Sequence, residues 1–356
     1  MENKGLVFIP DISGFTQFIN KVEIVHSKAI IQELLEILVS ANNIGLEISE
    51  IEGDAILFYK YGEAPDLETL YKQVEKMFCE FHRSLGAYEI SRYCQCQACT
   101  SAIELTLKVI THYGEFTDYH VASFKKLIGK DIIVAHQLLK NDIDQHEYWL
   151  VTNDVMKNTL PASLSEEMQW HTSVKQTENG EIVFQYAQLS SLKNKIPHKG
   201  PHQMEIPNKI KVMSFTKDFD IDIITLFRTT GMFEYRPQWQ EEVKSVEELN
   251  HYLPRVGMKC KYVDDAGEKV IYSSHYSFSP EKIEFTETDE SKSNATAYLI
   301  EKITDNKTKL TMDFYKKKSF LENTLFNLTE KKKRATKMER SFQKLEELVK
   351  VIEFPF

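Results

Sequence analysis

The sequence predicts an α+β protein of two units: a sheet covered by helices, then a curved antiparallel sheet closed by one long helix. Three observations lead there. The chain has 356 residues, more than one ordinary core needs and enough for two of about 150–200 residues. Strand-like and helix-like segments alternate before residue 190, and a run of strands follows residue 208. The C-terminal stripe Ala335, Met338, Phe342, Leu345, Val349 and Ile352 steps by three and four, which makes one amphipathic helix that needs a concave apolar surface against it.

Leu6 to Ile9 is a buried strand, and Ala29 to Val39 a helix with Ile30, Leu34, Leu35 and Leu38 on one face. Gly45 to Ser49 and Ala55 to Tyr59 are strands around a tight turn at Glu52, Gly53 and Asp54. Leu67 to Leu85 is a helix, Ile103 to His112 a strand, and Asp131 to Lys140 a helix. Asn179-Gly180 between strand-like runs signals a hairpin. Strands separated by helices, with hairpins among them, imply a helix-covered sheet. The polar run Ser190 to Pro207, with Pro197, Gly200, Pro201 and Pro207, reads as a linker. The division is therefore 1–189, a linker 190–207, and 208–356. Beyond the linker, Lys209 to Phe215 is a strand and Ile221 to Thr229 a short helix. Strands follow at Lys259 to Val263, Lys269 to Tyr276, Lys282 to Glu287, Ala295 to Ile303 and Lys309 to Tyr315.

Composition narrows the function classes. A formal net charge of −9 argues against general affinity for nucleic acid or anionic membrane, both of which require clustered positive charge. No uncharged apolar stretch of about 18 residues is present, so no membrane helix is expected. The first apolar run, Leu6 to Pro10, stops at Asp11 and lacks the features of a signal peptide. Five cysteines, three of them crowded together, do not form a secreted disulfide pattern. The expected location is the cytoplasm.

The stretch Phe8-Ile9-Pro10-Asp11-Ile12-Ser13-Gly14-Phe15-Thr16 carries the chemistry. It sets a carboxylate at the end of a strand, then a small-residue turn and a helix start. Such a carboxylate suits Mg²⁺ or Mn²⁺, while turn N–H groups suit phosphate oxygens. A second carboxylate, Asp54, lies in the turn Glu50-Ile51-Glu52-Gly53-Asp54-Ala55. If the two strands are neighbours, both aspartates meet at one sheet edge, a paired-carboxylate arrangement for metal and triphosphate. Taken singly, Asp11 also reads as a helix cap and Asp54 as hairpin chemistry.

These two blocks, in this order and about 40 residues apart, resemble the first signature blocks of class III adenylate and guanylate cyclases. The resemblance covers roughly residues 5 to 155 and implies a ferredoxin-like cyclase-type sheet. It implies that Asp11 and Asp54, with the carbonyl of Ile12, hold metal ions. It further implies that Ser13, Gly14, Phe15 and Thr16 lie along a purine nucleotide, that Glu50 stands at the base-selecting position, and that Lys126 stands at a second base contact. In that family the site forms between two chains, so a homodimer is implied for turnover. A third block is similar over Leu107 to His112, Gly114-Glu115 and Lys126 to Leu138, but two positions depart from it. Ile133 stands where the family has a ribose-orienting asparagine, and Gln137 where it has an arginine that stabilises the pentavalent phosphate. Removing one such donor typically costs about 10² to 10³ in rate, and a neutral amide brings no charge.

Cys94-Gln95-Cys96-Gln97-Ala98-Cys99 places three thiols within six residues, with Cys79, His82 and His112 as possible fourth partners. Structural Zn²⁺, a redox pair and inert reduced thiols all fit this spacing. Residues 208–356 resemble the START and polyketide-cyclase-like (SRPBCC) helix-grip domains, through their strand order, closing helix and the segment Phe233 to Trp239. That resemblance implies a cavity for a small apolar ligand, with Arg228, Glu234, Arg236, Tyr272 and His275 as candidate polar groups. For each of them a surface or salt-bridged residue is the alternative. The basic run Lys331 to Arg334 reads as the solvated start of the last helix. The sequence reading is thus a divergent, catalytically inactive cyclase homologue binding nucleotide and metal, fused to a ligand-binding domain. An active cyclase with altered residues and an interaction scaffold are the alternatives.

Overall fold

The computed structural model describes residues 3–21, 24–92, 97–122, 124–156, 161–162, 164, 168–177, 180–197, 205–249, 256–264, 267–318 and 331–354. Two compact units are present, Met1–Ala87 with Gln97–Lys199 and Tyr88–Cys96 with Gly200–Phe356.

The first unit opens with β1 (Lys4–Ser13), α1 (Phe15–Lys21), α2 (Ile24–Ser40), β2 (Glu47–Glu52), β3 (Ala55–Tyr61) and α3 (Leu67–Ser91). It continues with α4 (Gln97–Ser101), β4 (Thr106–Glu115), a small ribbon β5 (Thr117–Val121) and β6 (Phe124–Ile128), and α5 (Lys130–Leu139). β7 (Tyr148–Thr152), α6 (Asn153–Met156), β8 (Trp170–Thr177), β9 (Gly180–Gln188) and a 3-10 turn at Ser190–Lys195 complete it. The main sheet runs β2-β3-β1-β4-β7-β9-β8, with β4 and β7 parallel and the other pairs antiparallel. The expected hairpin joins β8 to β9, with Thr177 opposite Gly180; Asn179 itself lies outside the described residues.

β1 is longer than the sequence reading. Pro10 has no N–H to give, and pairing with β3 is given at Phe8↔Phe58 and resumes at Asp11↔Ala55. Pairing with β4 is unbroken from Lys4 to Ser13, so Asp11 lies inside the strand opposite Lys108. The row Val7, Ile9, Asp11 shares one face by strand alternation. Val7 and Ile9 pack there with Ile132, Ala135 and Leu138 of α5. The opposite face is covered too, with the Tyr71 ring of α3 against Trp149 of β7 at 6.3 Å. The strand expected from Ile103 begins later, because Ala102–Glu104 forms a 3-10 turn.

The second unit comprises β10 (Lys209–Phe219), α7 (Ile223–Gly231), α8 (Arg236–Trp239), β11 (Ser245–Glu248), β12 (Lys259–Asp264), β13 (Gly267–Ser279) and β14 (Lys282–Asp289). β15 (Asn294–Thr304), β16 (Lys307–Lys317) and α9 (Lys331–Leu348) follow. Its seven strands form one antiparallel sheet in the order β10-β16-β15-β14-β13-β12-β11. Met338, Phe342 and Leu345 of α9, with Val349 just beyond it, bury their side chains against Met213, Ile300, Leu310, Met312 and Phe314. Each fully buried side chain of that kind contributes about 1.5–3 kcal/mol. α7 is capped by Asp222, whose carboxylate accepts from the N–H groups of Ile224 and Thr225. No described helix is long and apolar enough to cross a membrane.

Candidate functional site

The first unit contains an open cleft of about 1020 Å³ where the face covered by α5 runs out. Its floor follows from register. Asp11 of β1 lies between Ala55 of β3 and Lys108 of β4. The Asp54 carbonyl accepts from the Ile12 N–H at 3.0 Å, which ties the β2–β3 turn to β1. Gly53 makes that turn with a φ of 60°, and Gly14 leaves β1 with a φ of 89°; both lie in the left-handed region that glycine enters without steric cost. A shift in the β2–β3 register between Ile48 and Glu50 puts Glu47, Glu50 and Glu52 opposite Tyr59, Leu57 and Ala55, on the face that carries Asp11. Without that irregularity, strand alternation would turn Glu50 away from Glu47.

The cleft is rich in carboxylates. Asp11, Glu50, Glu52, Asp54, Glu104 and Glu147 line it, with Lys108 and Lys140 as its two lysines. Burial raises the Asp11 carboxyl above the usual range, and Lys108, its ammonium 3.4 Å from Oδ1, pulls part of the way back. Burial, then the charge of Asp11, pushes Asp54 up to about 6. Two carboxylates that each resist ionisation side by side leave an unmet demand for positive charge. Lys108 also donates to the Leu139 carbonyl at 3.2 Å, so one ammonium joins Asp11 to the end of α5. Glu50 is ion-paired with Lys126, and His136 Nε2 lies 3.9 Å from its other oxygen. The hydroxyl of Ser13 is buried in the cleft without a hydrogen-bond partner among the described residues.

The residues expected around a nucleotide are therefore brought together: Asp11, Ile12, Ser13, Gly14, Phe15, Thr16, Glu50 and Asp54 all line the cleft. Lys126 reaches it through Glu50. Ile133 and Gln137, the two departing positions, line it as well, on the same side of α5 as His136 and Lys140. Sequence reasoning missed Lys108, His136 and Lys140. The signal for Lys108 was a lysine inside an apolar strand; for the other two it was their place three and seven residues after Ile133, one helical face.

One wall is anchored by Glu147. Its carboxylate pairs with Lys193, lies 3.4 Å from the His82 Nε2, and accepts from the Ser190 hydroxyl at 2.8 Å. Its carbonyl accepts from the Leu189 N–H at 2.8 Å. Burial, followed by the charge of Lys193, lowers His82 to about 4, so the ring is neutral at ordinary pH.

Residues 31–148 match a family described as a protein of unknown function (DUF2652). The chain is 28% identical over 132 residues to the uncharacterized protein Rv2561/Rv2562 of Mycobacterium tuberculosis, a match covering 37% of this chain. It spans 61% of the length of that relative. Among solved structures, a bacterial light-regulated adenylyl cyclase matches at 14% identity and a TM-score of 0.38, over 55% of this chain and 96% of that one. The guanylate cyclase domain of RhGC from Catenaria anguillulae, in complex with GTP, matches at 13% identity and a TM-score of 0.38, over 52% and 97%.

Cys94 and Cys96, expected to join a cluster with Cys99, lie outside the described residues. Cys99 is buried with its Sγ 3.4 Å from Nδ1 of His26, also buried. The fourth partners named from sequence are engaged elsewhere. The Cys79 thiol faces the Leu192 carbonyl at 3.9 Å, His82 contacts Glu147, and His112 bridges Thr152 at 2.9 Å and Asp131 at 3.2 Å. Among the described residues no three His, Cys, Asp or Glu side chains form a ready metal cluster.

In the second unit, Arg236 is fully buried and ion-paired with Glu287, and donates to the Tyr298 hydroxyl at 2.7 Å. Its guanidinium also lies over the rings of Phe233, Trp239 and Tyr298. Tyr272 donates to Glu205. Arg228 lies 5.5 Å from the Phe354 ring, Glu234 is exposed and His275 half-buried. None of these five lines the open groove of about 740 Å³ that Val212, Met213, Phe215 and Ala335 form with Lys211, Lys331 and Lys332.

Proposed function

We propose that the first unit is a divergent nucleotidyl-cyclase-like domain that binds a purine nucleoside triphosphate with a divalent cation and does not cyclise it. The observation that carries this reading is the Asp11–Asp54 pair on the floor of the cleft. The donors fit a hard cation: two carboxylates and, beside them, the Ile12 carbonyl are all oxygen. Charge balance supports it, because six acidic residues against two lysines would repel a bare triphosphate. When bound, Mg²⁺ or Mn²⁺ supplies the charge that lets phosphate oxygens enter such a cleft.

The chain's own groups have separable roles. Asp11 and Asp54 hold the cation, and Lys108 fixes the orientation of Asp11 through their ion pair. Glu50 presents its carboxylate toward the base while Lys126 neutralises it. The Ser13 hydroxyl, buried and without a partner among the described residues, offers a donor at the turn. The absence of turnover rests on Ile133 and Gln137, which face the cleft without charge; one missing donor of that type typically costs about 10² to 10³ in rate.

The test is calorimetric titration of the whole protein with GTP and with ATP in Mn²⁺, with Asp11→Ala alongside and the same samples assayed for cyclic product. Metal-dependent binding that the substitution removes, without product, is expected. Product formation would overturn the inactive reading, and absence of binding would overturn the nucleotide reading itself.

A further inference from the structure

The two lysines of the cleft are not equivalent. Lys108 is committed, its ammonium shared between Asp11 Oδ1 at 3.4 Å and the Leu139 carbonyl at 3.2 Å. Lys140, the next residue along from Leu139, is exposed, lines the same cleft, and forms no ion pair among the described residues. Its neighbours on that side of α5 are Ile133, His136 and Gln137; of these, only the imidazole, 3.9 Å from Glu50, can become charged. The Leu139 carbonyl meets Lys108, and Lys108 meets Asp11, so the backbone at Lys140 is two hydrogen-bond-length steps from the carboxylate pair. A four-carbon stem lets the ammonium sweep the space in front of that pair.

We propose that Lys140 is the residue that grips the phosphate chain of the ligand, and that it makes the cleft selective for a triphosphate over a monophosphate. The inference rests on the reading of the cleft as a nucleotide–metal site. Asp11 and Asp54 would hold a cation on the sheet side of the cleft, where it would supply positive charge to the phosphate chain, and Lys140 would supply a second positive charge from the helix side. A nucleoside monophosphate is too short to reach both. A lysine suits this task because its ammonium is a mobile point charge with three donors, which needs no fixed ligand geometry. Placed at the end of α5, it also lies where positive charge is favourable to the helix, so the free protein tolerates it without a carboxylate partner.

The test uses the full chain and four probes: Mn²⁺ alone, and GTP, GMP and guanosine in Mn²⁺, with ATP and its series in parallel. Lys140→Ala should weaken triphosphate binding about 10-fold, the loss of one charge-assisted hydrogen bond of about 1.5 kcal/mol. Monophosphate, nucleoside and Mn²⁺ binding should change less than twofold. Lys140→Arg should restore most of the loss, and Lys140→Glu should deepen it. Because Lys140 is exposed, these variants should fold, and unchanged thermal unfolding would confirm it. Equal loss for triphosphate and monophosphate, or no loss with Lys140→Ala, would overturn the role of Lys140 and leave the nucleotide reading standing. Failure of the unsubstituted protein to bind any triphosphate in Mn²⁺ would overturn both.

Discussion

Replacing Asp54 with asparagine should stabilise the metal-free protein while abolishing its stabilisation by metal. The magnitude follows from the carboxyl's environment. Burial and the neighbouring Asp11 charge raise Asp54 from 3.8 to about 6, and each pH unit of displacement is worth about 1.4 kcal/mol. The undiscounted penalty on the ionised form is about 3 kcal/mol. Asp54 is only half-buried, and solvent screening cuts this to about 1–2 kcal/mol. The sign is set by the upward direction: the stabilising contribution is complete below the ordinary carboxylate value and lost as pH rises through 6. An asparagine at this position would carry no charge to penalise. In chelator at pH 7.5 the Asp54→Asn protein should therefore unfold about 2–8 °C higher, using roughly 2–4 °C per kcal/mol for a unit of this size. At pH 5, above the ordinary value of 3.8 but below about 6, the unfolded chain is still ionised while folded Asp54 is mostly protonated, so the difference should narrow to about half. In Mn²⁺ the order should reverse, because ligand at about 100 times its Kd stabilises only the wild type, by roughly 2.7 kcal/mol. Thermal unfolding followed by circular dichroism at the two pH values, with chelator and with Mn²⁺, reads all of this. A substituted protein less stable than wild type at pH 7.5 in chelator would refute the reasoning, as would a gap that does not change with pH.

Two further predictions concern the framework. Glu287→Ala leaves the Arg236 guanidinium buried without its counter-charge and should cost about 3–5 kcal/mol, read by urea unfolding; the pair Arg236→Met with Glu287→Leu should recover most of it. Gly53→Ala keeps a φ of 60° only at a cost of about 1–2 kcal/mol for a residue with a Cβ. The space itself is open, the nearest atom being a Phe15 ring carbon at 3.7 Å. Thermal unfolding should show that cost and titration should show weaker Mn²⁺ binding, since this turn aims Asp54.

The parts of the site legible in the sequence were those encoded locally. Asp11 and the Ser13-Gly14 turn follow one another, and Glu50, Gly53 and Asp54 belong to one hairpin, so order and spacing could bring them to one edge. Lys108 was not legible in the same way, because its meeting with Asp11 is a matter of register between strands nearly a hundred residues apart. Glu50 reaches the right face only through a ladder irregularity that spacing does not announce. His26 lies 73 residues from Cys99, with no local pattern linking them. The extent of β1 was under-read because Pro10 looks like a strand end, whereas the ladder to β4 uses groups that proline still has. In the second unit, β11 escaped notice: Ser245–Glu248 is a four-residue edge strand with one partner, and carries almost no apolar alternation. Arg236 was a candidate to face a ligand with a salt-bridged residue as the alternative, and the alternative holds: its surroundings, a carboxylate and three aromatic rings, come from the 3-10 turn Phe233–Tyr235, from α8 and from strands far along the chain.

Glu147 decides where the first unit can be cut free. One residue in the cleft wall gathers the Leu189 N–H, the Ser190 hydroxyl and the Lys193 ammonium, all supplied by the stretch that leads out of the unit. A fragment ending at Gln188 would keep every strand of the main sheet and lose all three contacts at once, leaving a buried carboxylate facing the His82 imidazole. That ring, relieved of the Lys193 charge that helps hold it neutral, would take up a proton more readily, so the shortened fragment would titrate differently from the intact chain. A fragment carried through Lys195 keeps all three contacts and the wall closed, and is the length at which the cleft can be studied alone.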